Sequence, residues 1–294
     1  MNEKPPRFIY HLIAVLVVGV WGLTFISTKI LIGQGLSPQE IFLLRFLMAY
    51  AGIWLFAPRR LFADGWRDEM WLLLGGVTGG SFYFLAENTA LGITLATNVS
   101  FIVCTAPLLT TLLSLLLCRE ERATRWLWVG SLLALAGVAL VVYNGNFVLK
   151  ISPLGDVLSL SAALLWAFYS LIMKRMADRY DTLFITRKIF FYGVLTILPA
   201  FLFRPWQCSA RQLLQPVVLF HLLFLGVLAS LVCYAVWNVV LKRLGTVRAS
   251  NYIYLNPVFT LLGSALLLDE HLTAMALAGA ASILCGVYLA GKKP

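Results

Sequence analysis

ERATRWLWVGSLLALAGVAL occupies residues 121–140, and EHLTAMALAGAASILCGVYL occupies residues 270–289. Laid over one another, they pair Glu121 with Glu270, Thr124 with Thr273, Gly130 with Gly279, Gly137 with Gly286 and Val138 with Val287, each 149 positions apart. The matching runs outward through the chain. Trp21 and Lys29 pair with Trp166 and Lys174 at a spacing of 145, and Arg45 and Tyr50 with Arg187 and Tyr192 at 142. Gly76, Asn88, Ser100 and Pro107 pair with Gly226, Asn238, Ser250 and Pro257 at 150. The spacing shifts only where a connector gains or loses residues, so the ordered series reads as an internal duplication.

The solvent of both copies follows from composition. The chain has 294 residues, 61% hydrophobic and 12% charged, with a mean hydropathy of +0.87. A soluble domain is about half apolar and a quarter charged, so this surface belongs in lipid. Apolar stretches fall at 8–32, 40–57, 70–91, 96–117, 125–143, 154–174, 182–203, 213–241, 249–268 and 273–290, near the ~20 residues that cross a bilayer core. Nothing alternates in polarity, so helices are expected and barrel strands are not. The first stretch follows Lys4 and Arg7 but has no small-residue cleavage site, and is expected to stay. Four of the five cysteines lie in or at the end of spans and read as small core hydrophobes.

Charge sets the orientation. With the N-terminus inside, cytoplasmic segments hold 16 Lys and Arg, while the opposite side holds 3, namely Lys150, Arg204 and Arg211. Basic residues remain on the cytoplasmic side, so both termini are expected there, in a multi-pass protein of the bacterial inner (plasma) membrane. Five spans per copy is an odd number, so the second copy enters from the opposite side. The sequence predicts an all-α integral membrane protein whose ten transmembrane helices form two inverted-topology five-helix repeats around a central cavity. The repeats would be 8–143 and 154–290, joined by a connector at 144–153. Such symmetry serves alternating access, with substrate at the midplane between the halves.

These motifs resemble the drug/metabolite transporter superfamily, in its bacterial form with two EamA domains. The resemblance is carried by Val20-Trp21-Gly22, Pro38 followed by Arg45, Pro107, and Glu121-Arg122-Ala123-Thr124 leading to Gly130 and Gly137. Trp166, Arg187, Pro257 and Glu270-His271-Leu272-Thr273 leading to Gly279 and Gly286 repeat it. The resemblance implies ten helices around a central cavity and export of small metabolites, often amino acids.

Polar and aromatic side chains within spans are costly against lipid and are expected to face the interior. At helical spacing, Trp21 and Thr24 share a face with Thr28, Trp166 and Tyr169 with Ser170, and Tyr83 with Glu87. Asn88 follows Glu87; Tyr234, Trp237 and Asn238 align in the eighth stretch, and Tyr252 with Asn256 in the ninth. These twelve candidates (Trp21, Thr24, Tyr83, Glu87, Asn88, Trp166, Tyr169, Tyr234, Trp237, Asn238, Tyr252 and Asn256) are the expected substrate-binding set, against the alternative of interfacial belts and helix contacts. Glu87 could bind a substrate amine or exchange a proton, or stand in water at the outer mouth. Arg45 and Arg187 read as snorkelling or bonding to helix ends, with contact to a substrate carboxylate or phosphate as the alternative. Glu121, Thr124, Glu270 and Thr273 read as helix capping, Pro107 and Pro257 as bends, and Gly75, Gly76, Gly79 and Gly80 as close-packing pairs.

Enzymatic readings find little support. Glu120-Glu121-Arg122-Ala123-Thr124-Arg125 fits an E-E-x-x-x-R pattern of intramembrane proteases, the distant alternative. That chemistry needs more histidines than His11, His221 and His271, and the match falls in a connector. No catalytic residue, metal ligand set or cofactor motif is expected, and no phosphate-gripping loop is present. Nucleotide-sugar, phosphorylated-solute or nucleobase transport is the nearer alternative, but phosphates call for several cavity cations. The expected partners are a small-molecule substrate and membrane lipid, with no nucleic acid. The unit is expected to be a monomer, with proton coupling an open option. An aromatic or bulky apolar amino acid is the favoured cargo.

Overall fold

In the computed structural model, which describes residues 7–57, 60–94, 96–117, 124–143, 152–267 and 273–290, the chain leaves its first helix at a glycine turn. Helix α1 (Arg7–Gly33) ends where Gly35 adopts φ of +91°, a conformation that glycine reaches without a Cβ penalty. Helix α2 (Pro38–Ile53) then starts with a capping box. The Ser37 hydroxyl accepts from the Glu40 amide, the Glu40 carboxylate takes the Ser37 amide, and Pro38 fills the first turn.

Helix α3 covers 66–93 and is not uniform. Trp66–Gly76 passes through a π-helical turn, Val77–Ser81, into Phe82–Ile93, and Gly80 leaves helical geometry altogether (φ −130°, ψ −106°). Helix α4 covers 96–117 in two pieces, Ala96–Val103 and Ala106–Leu117. Helices α5 (Arg125–Tyr143), α6 (Pro153–Ala177) and α7 (Thr182–Phe203) follow. Thr124 caps α5 through its hydroxyl, 3.1 Å from the Leu127 amide, while Glu121 and Glu270 lie outside the described residues. Helix α8 (Pro216–Leu244) contains a second π-helical stretch, Phe224–Val232. Helix α9 covers 246–267, with a tight 3-10 segment at Asn251–Leu255 ahead of Asn256–Leu267. Helix α10 is Ala274–Ala290.

The described residues are helical throughout their regular structure, with no strand. Among the described residues, five helices are long and apolar enough to cross a membrane: Phe8–Gly33, Val99–Leu117, Pro153–Ala177, Thr182–Phe203 and Pro216–Leu244; Arg125–Leu140 and Leu277–Ala290 are shorter and apolar. Continuous helices are expected at all ten stretches; π-helical turns interrupt the third and eighth, a break at 104–105 the fourth, and a 3-10 segment the ninth. Burial is inverted relative to a soluble protein. Phe8, Leu116, Leu202 and Phe203 are exposed, Phe203 to 86%, whereas Arg45, Glu87, Asn88 and Asn238 are buried. Soluble proteins bury charges last, so this exterior suits hydrocarbon. Among the described cysteines, Cys104, Cys208 and Cys233 are buried but Cys285 is exposed, not in the core, while Cys118 lies outside the described residues.

The broadest helix contacts all join the first half of the chain to the second. Helix α5 lies along α10, α2 packs on α7, α3 on α6 as α1 on α8, α4 on α6 as α1 on α9, and α2 on α8 as α3 on α7. Glycines permit the closest of these. A Cβ on Gly130 would stand 2.5 Å from the Gly286 carbonyl oxygen, and one on Gly137 2.7 Å from that of Gly279. On α3, a Cβ at Gly76 would meet the Tyr192 Cβ at 2.5 Å, and one at Gly79 the Tyr169 ring at 2.2 Å. The close packing expected of that glycine cluster is thus made against α7 and α6.

Both ends of the bundle are tied across the halves. At one, the Glu40 carboxylate accepts from the Gln207 and Cys208 amides at 2.7 and 2.8 Å. At the other, Arg179 grips Asp68 with contacts of 2.7 and 2.9 Å, the Tyr180 hydroxyl donates to Asp68 at 2.7 Å, and Lys188 pairs with Glu69 at 2.9 Å. Asp68 precedes the apolar stretch of α3. The Tyr180 hydroxyl, then Arg179, hold its carboxyl below its ordinary value, while desolvation acts the other way. A depressed folded-state value gives stabilisation that is complete above the unfolded value, about 4, and is lost as pH falls through the folded value. Thermal unfolding in detergent at pH 7 and below 4 should therefore show a drop in the wild type that Asp68→Asn makes smaller; an equal drop in both would disprove this tie.

Candidate functional site

Two prolines open the centre of the bundle. Pro107 and Pro257 have no amide hydrogen to give to the residue four places earlier, and their rings crowd that carbonyl. Those residues are Val103 and Ile253, and the helices are interrupted at 104–105 and 251–255. The bends expected from the sequence are thus breaks, displaced about one turn toward each helix N-terminus. Val103 and Ala106 from one break, and Ile253 and Asn256 from the other, line a cavity of about 450 Å³, counting its open mouth. The Cys104 thiol lies 3.6 Å from the Ile253 carbonyl oxygen, linking the breaks across the halves.

The remaining walls are aromatic. Trp21 and Trp166, equivalent residues of the two copies, meet edge to face with centroids 5.3 Å apart. Tyr234 sits 5.8 Å from each, Tyr83 5.2 Å from Trp166, and Trp237 5.1 Å from Trp21 behind the lining. Trp21 is anchored by its indole N–H, which donates to the Ala229 carbonyl at 3.0 Å, and Tyr234 by its hydroxyl, which donates to Gly79 at 2.6 Å. Both acceptors lie in the π-helical turns, whose irregular backbone frees carbonyls for side-chain bonds.

Two opposite charges face this cavity. Arg45 is 2% exposed; its Nε donates to the Ser230 hydroxyl at 2.8 Å and its guanidinium lies 4.2 Å over the Phe84 ring. Glu87 is 4% exposed and accepts from the Tyr83 hydroxyl. No ion pair joins either of them to another of the described residues. The snorkelling reading of Arg45 is corrected: its head turns inward because Ser230 and Phe84 receive it. Its equivalent, Arg187, bonds to the Arg60 carbonyl and lies 4.4 Å over Trp54, away from the cavity. The position matching Ser230 is Gly80, which offers no hydroxyl there.

Seven of the twelve expected residues line the cavity: Trp21, Thr24, Tyr83, Glu87, Trp166, Tyr234 and Asn256. The Thr24 hydroxyl donates to the Trp21 carbonyl. The other five stand elsewhere. Tyr169 donates to Asn238 at 2.5 Å and Asn238 in turn to Thr186 at 2.8 Å, a buried link between α6, α8 and α7. Asn88 donates to the Pro38 carbonyl at 3.3 Å, and Trp237 packs behind Trp21. Tyr252 pairs with His11 at 2.5 Å, outside the lining. The reading from sequence missed Phe25, Phe84, Val103, Ala106 and Ile253 as lining residues. Position four before a mid-helix proline was the available signal for Val103 and Ile253. Among the described residues, no three of His, Cys, Asp and Glu gather as a metal site would require.

Known proteins are similar to this chain across their length. The EamA-like transporter family matches residues 8–143 and 153–291. An uncharacterized transporter of Archaeoglobus fulgidus is 29% identical over 100% of this chain and 99% of its own length. A probable amino-acid metabolite efflux pump of Salmonella typhimurium is 29% identical over 94% of this chain and 93% of its own. A protein of known crystal structure superposes with a TM-score of 0.75 at 19% identity, covering 98% of this chain and 97% of that one, which shows a shared fold.

Proposed function

The chain belongs to the EamA-like transporter family, and from that premise we propose that it is a secondary exporter of amino acids, aromatic or bulky apolar ones foremost, working by alternating access. The observation that carries the substrate class is the cavity itself: one buried cation, Arg45, and one buried carboxylate, Glu87, unpaired with each other among aromatic rings. A free amino acid has those two charges in reverse and an apolar side chain for the rings. The name of the Salmonella typhimurium relative agrees with that class.

Alternating access is supported by the helix contacts. Exchanging the halves turns the α3–α6 contact into α8–α1, α4–α6 into α9–α1 and α2–α8 into α7–α3, and leaves α5–α10 and α2–α7 as they are. Two inverted five-helix repeats, 8–143 and 154–290, on a pseudo-two-fold axis in the membrane plane account for that exchange. The end tied by Asp68 and Arg179 would then face the cytoplasm with both termini, in the bacterial inner membrane, and the Glu40 end would face outward. The unit is taken as a monomer, and Glu87 is the group placed to carry a proton in exchange.

Phosphorylated solutes fit less well, because Arg45 is the only cation among the described lining residues. Purified protein in liposomes preloaded with unlabelled amino acid should accumulate labelled phenylalanine or leucine by counterflow, and a pH gradient should alter the rate if a proton is exchanged. Counterflow of a nucleobase or sugar phosphate, with none of any amino acid, would overturn the proposal.

A further inference from the structure

Arg45 and Glu87 project from neighbouring helices, α2 and α3, into one cavity, yet each satisfies itself locally. Arg45 uses only Nε, on Ser230, and rests its plane on Phe84; Glu87 takes the Tyr83 hydroxyl. A buried charge without a direct ion pair is costly, and evolution ordinarily pairs or removes it. Two such groups of opposite sign, held unbridged in one aromatic-walled space, are complementary to a molecule with both charges. Two further polar groups are unspent: the Trp166 indole N–H and the Asn256 side-chain oxygen, both buried, have no partner among the described residues. Asn256 also opens the half-helix Asn256–Leu267 at the break.

Resting on the amino-acid reading above, we propose that Arg45 and Glu87 are the specificity-determining pair, Arg45 receiving the substrate's α-carboxylate and Glu87 its α-ammonium, so that the cavity admits zwitterions and rejects molecules carrying either charge alone. The side chain then lies against Trp21 and Trp166. Binding brings in no net charge, and each protein charge gains a direct ion pair only when the carrier is loaded. A site built to pair a charged group rejects an analogue without it more strongly than an apolar pocket rejects a missing methylene.

Counterflow of labelled L-phenylalanine into proteoliposomes, competed by unlabelled analogues, tests the assignment on the wild type. L-Phenylalanine amide lacks the carboxylate charge and N-acetyl-L-phenylalanine lacks the ammonium. Each should compete about 100-fold less well than phenylalanine. In Arg45→Gln the amide should lose that disadvantage while the N-acetyl compound keeps it; in Glu87→Gln the pattern should reverse. This crossing distinguishes recognition from a folding defect, which would lower all rates together, and the wild-type competition needs no variant. Equal competition by all three compounds, or loss of both penalties in both variants, would overturn the pairing while leaving amino-acid transport intact. Absence of any amino-acid counterflow would overturn the functional reading and this one with it.

Discussion

Trp21→Ala should lower stability by about 3 kcal/mol, the low end for truncating a buried Trp, and abolish transport. The low end applies because part of the usual cost is transfer of apolar atoms from water, a term that is weak when the unfolded reference remains in lipid. What is left is packing and one hydrogen bond. Trp21 touches Trp166, Tyr234 and Trp237, and its N–H serves the Ala229 carbonyl in the α8 π-helical stretch. Removing it leaves three rings without a common neighbour and a buried carbonyl without its donor. Trp21→Phe should retain most of the packing and lose about 1 kcal/mol for the hydrogen bond. Trp66, 72% exposed at the start of α3, is the control, and its replacement by Ala should change little. Thermal unfolding of purified protein in detergent measures all three, and a Trp21→Ala variant as stable as Trp66→Ala would refute the central role given to this ring.

The second large effect is expected from adding one carbon atom between α5 and α10. In Gly130→Ala the new Cβ would lie 2.4 Å from the Ala290 nitrogen and 2.5 Å from the Gly286 oxygen. These are backbone atoms, with no rotamer to change, so the helices must move apart along their whole contact. A cost of about 3 kcal/mol, the upper part of the overpacking range, is expected. Gly286→Ala should cost about the same, because its Cβ meets the Gly130 oxygen at 2.5 Å. Gly92→Ala, with nothing within 4 Å, should be stabilising by about 0.5 kcal/mol through helix propensity. If Gly130→Ala and Gly92→Ala unfold at the same temperature, the crossing is not as tight as described.

The duplication was legible in sequence because equivalent sites keep equivalent jobs. Trp21 and Trp166 meet each other, Gly130 and Gly137 cross Gly286 and Gly279, and Pro107 and Pro257 break their helices. Departures from symmetry were legible only as differences in letters. Arg45 turns inward to the Ser230 hydroxyl that α8 presents, whereas Arg187 meets the Arg60 carbonyl and Trp54. No periodicity within α2 or α7 contains that information, since the Ser230 contact spans 185 positions. The π turns escaped for a similar reason. Gly76, Gly79 and Gly80 read correctly as close-approach residues, but their partners there, the Tyr234 hydroxyl on the Gly79 carbonyl and Tyr192 against Gly76, come from other helices. Tyr252 had the right spacing to join Asn256, but the 3-10 segment changes the rotation per residue and directs it to His11.

Because the broad contacts all lie between the halves, the order of biosynthesis matters. The first half leaves the ribosome without the surfaces it is shaped to meet. At roughly 5–20 residues per second, Arg45 must remain in or near the membrane for on the order of 10–40 s before Ser230, 185 positions later, is made. During that interval its guanidinium, the Glu87 carboxylate and the open faces of α1 to α5 need temporary hosts: lipid headgroups, water or the insertion machinery. The feature that supplies a cavity in the finished protein is therefore also the one that makes its first half an exposed and unfinished passenger.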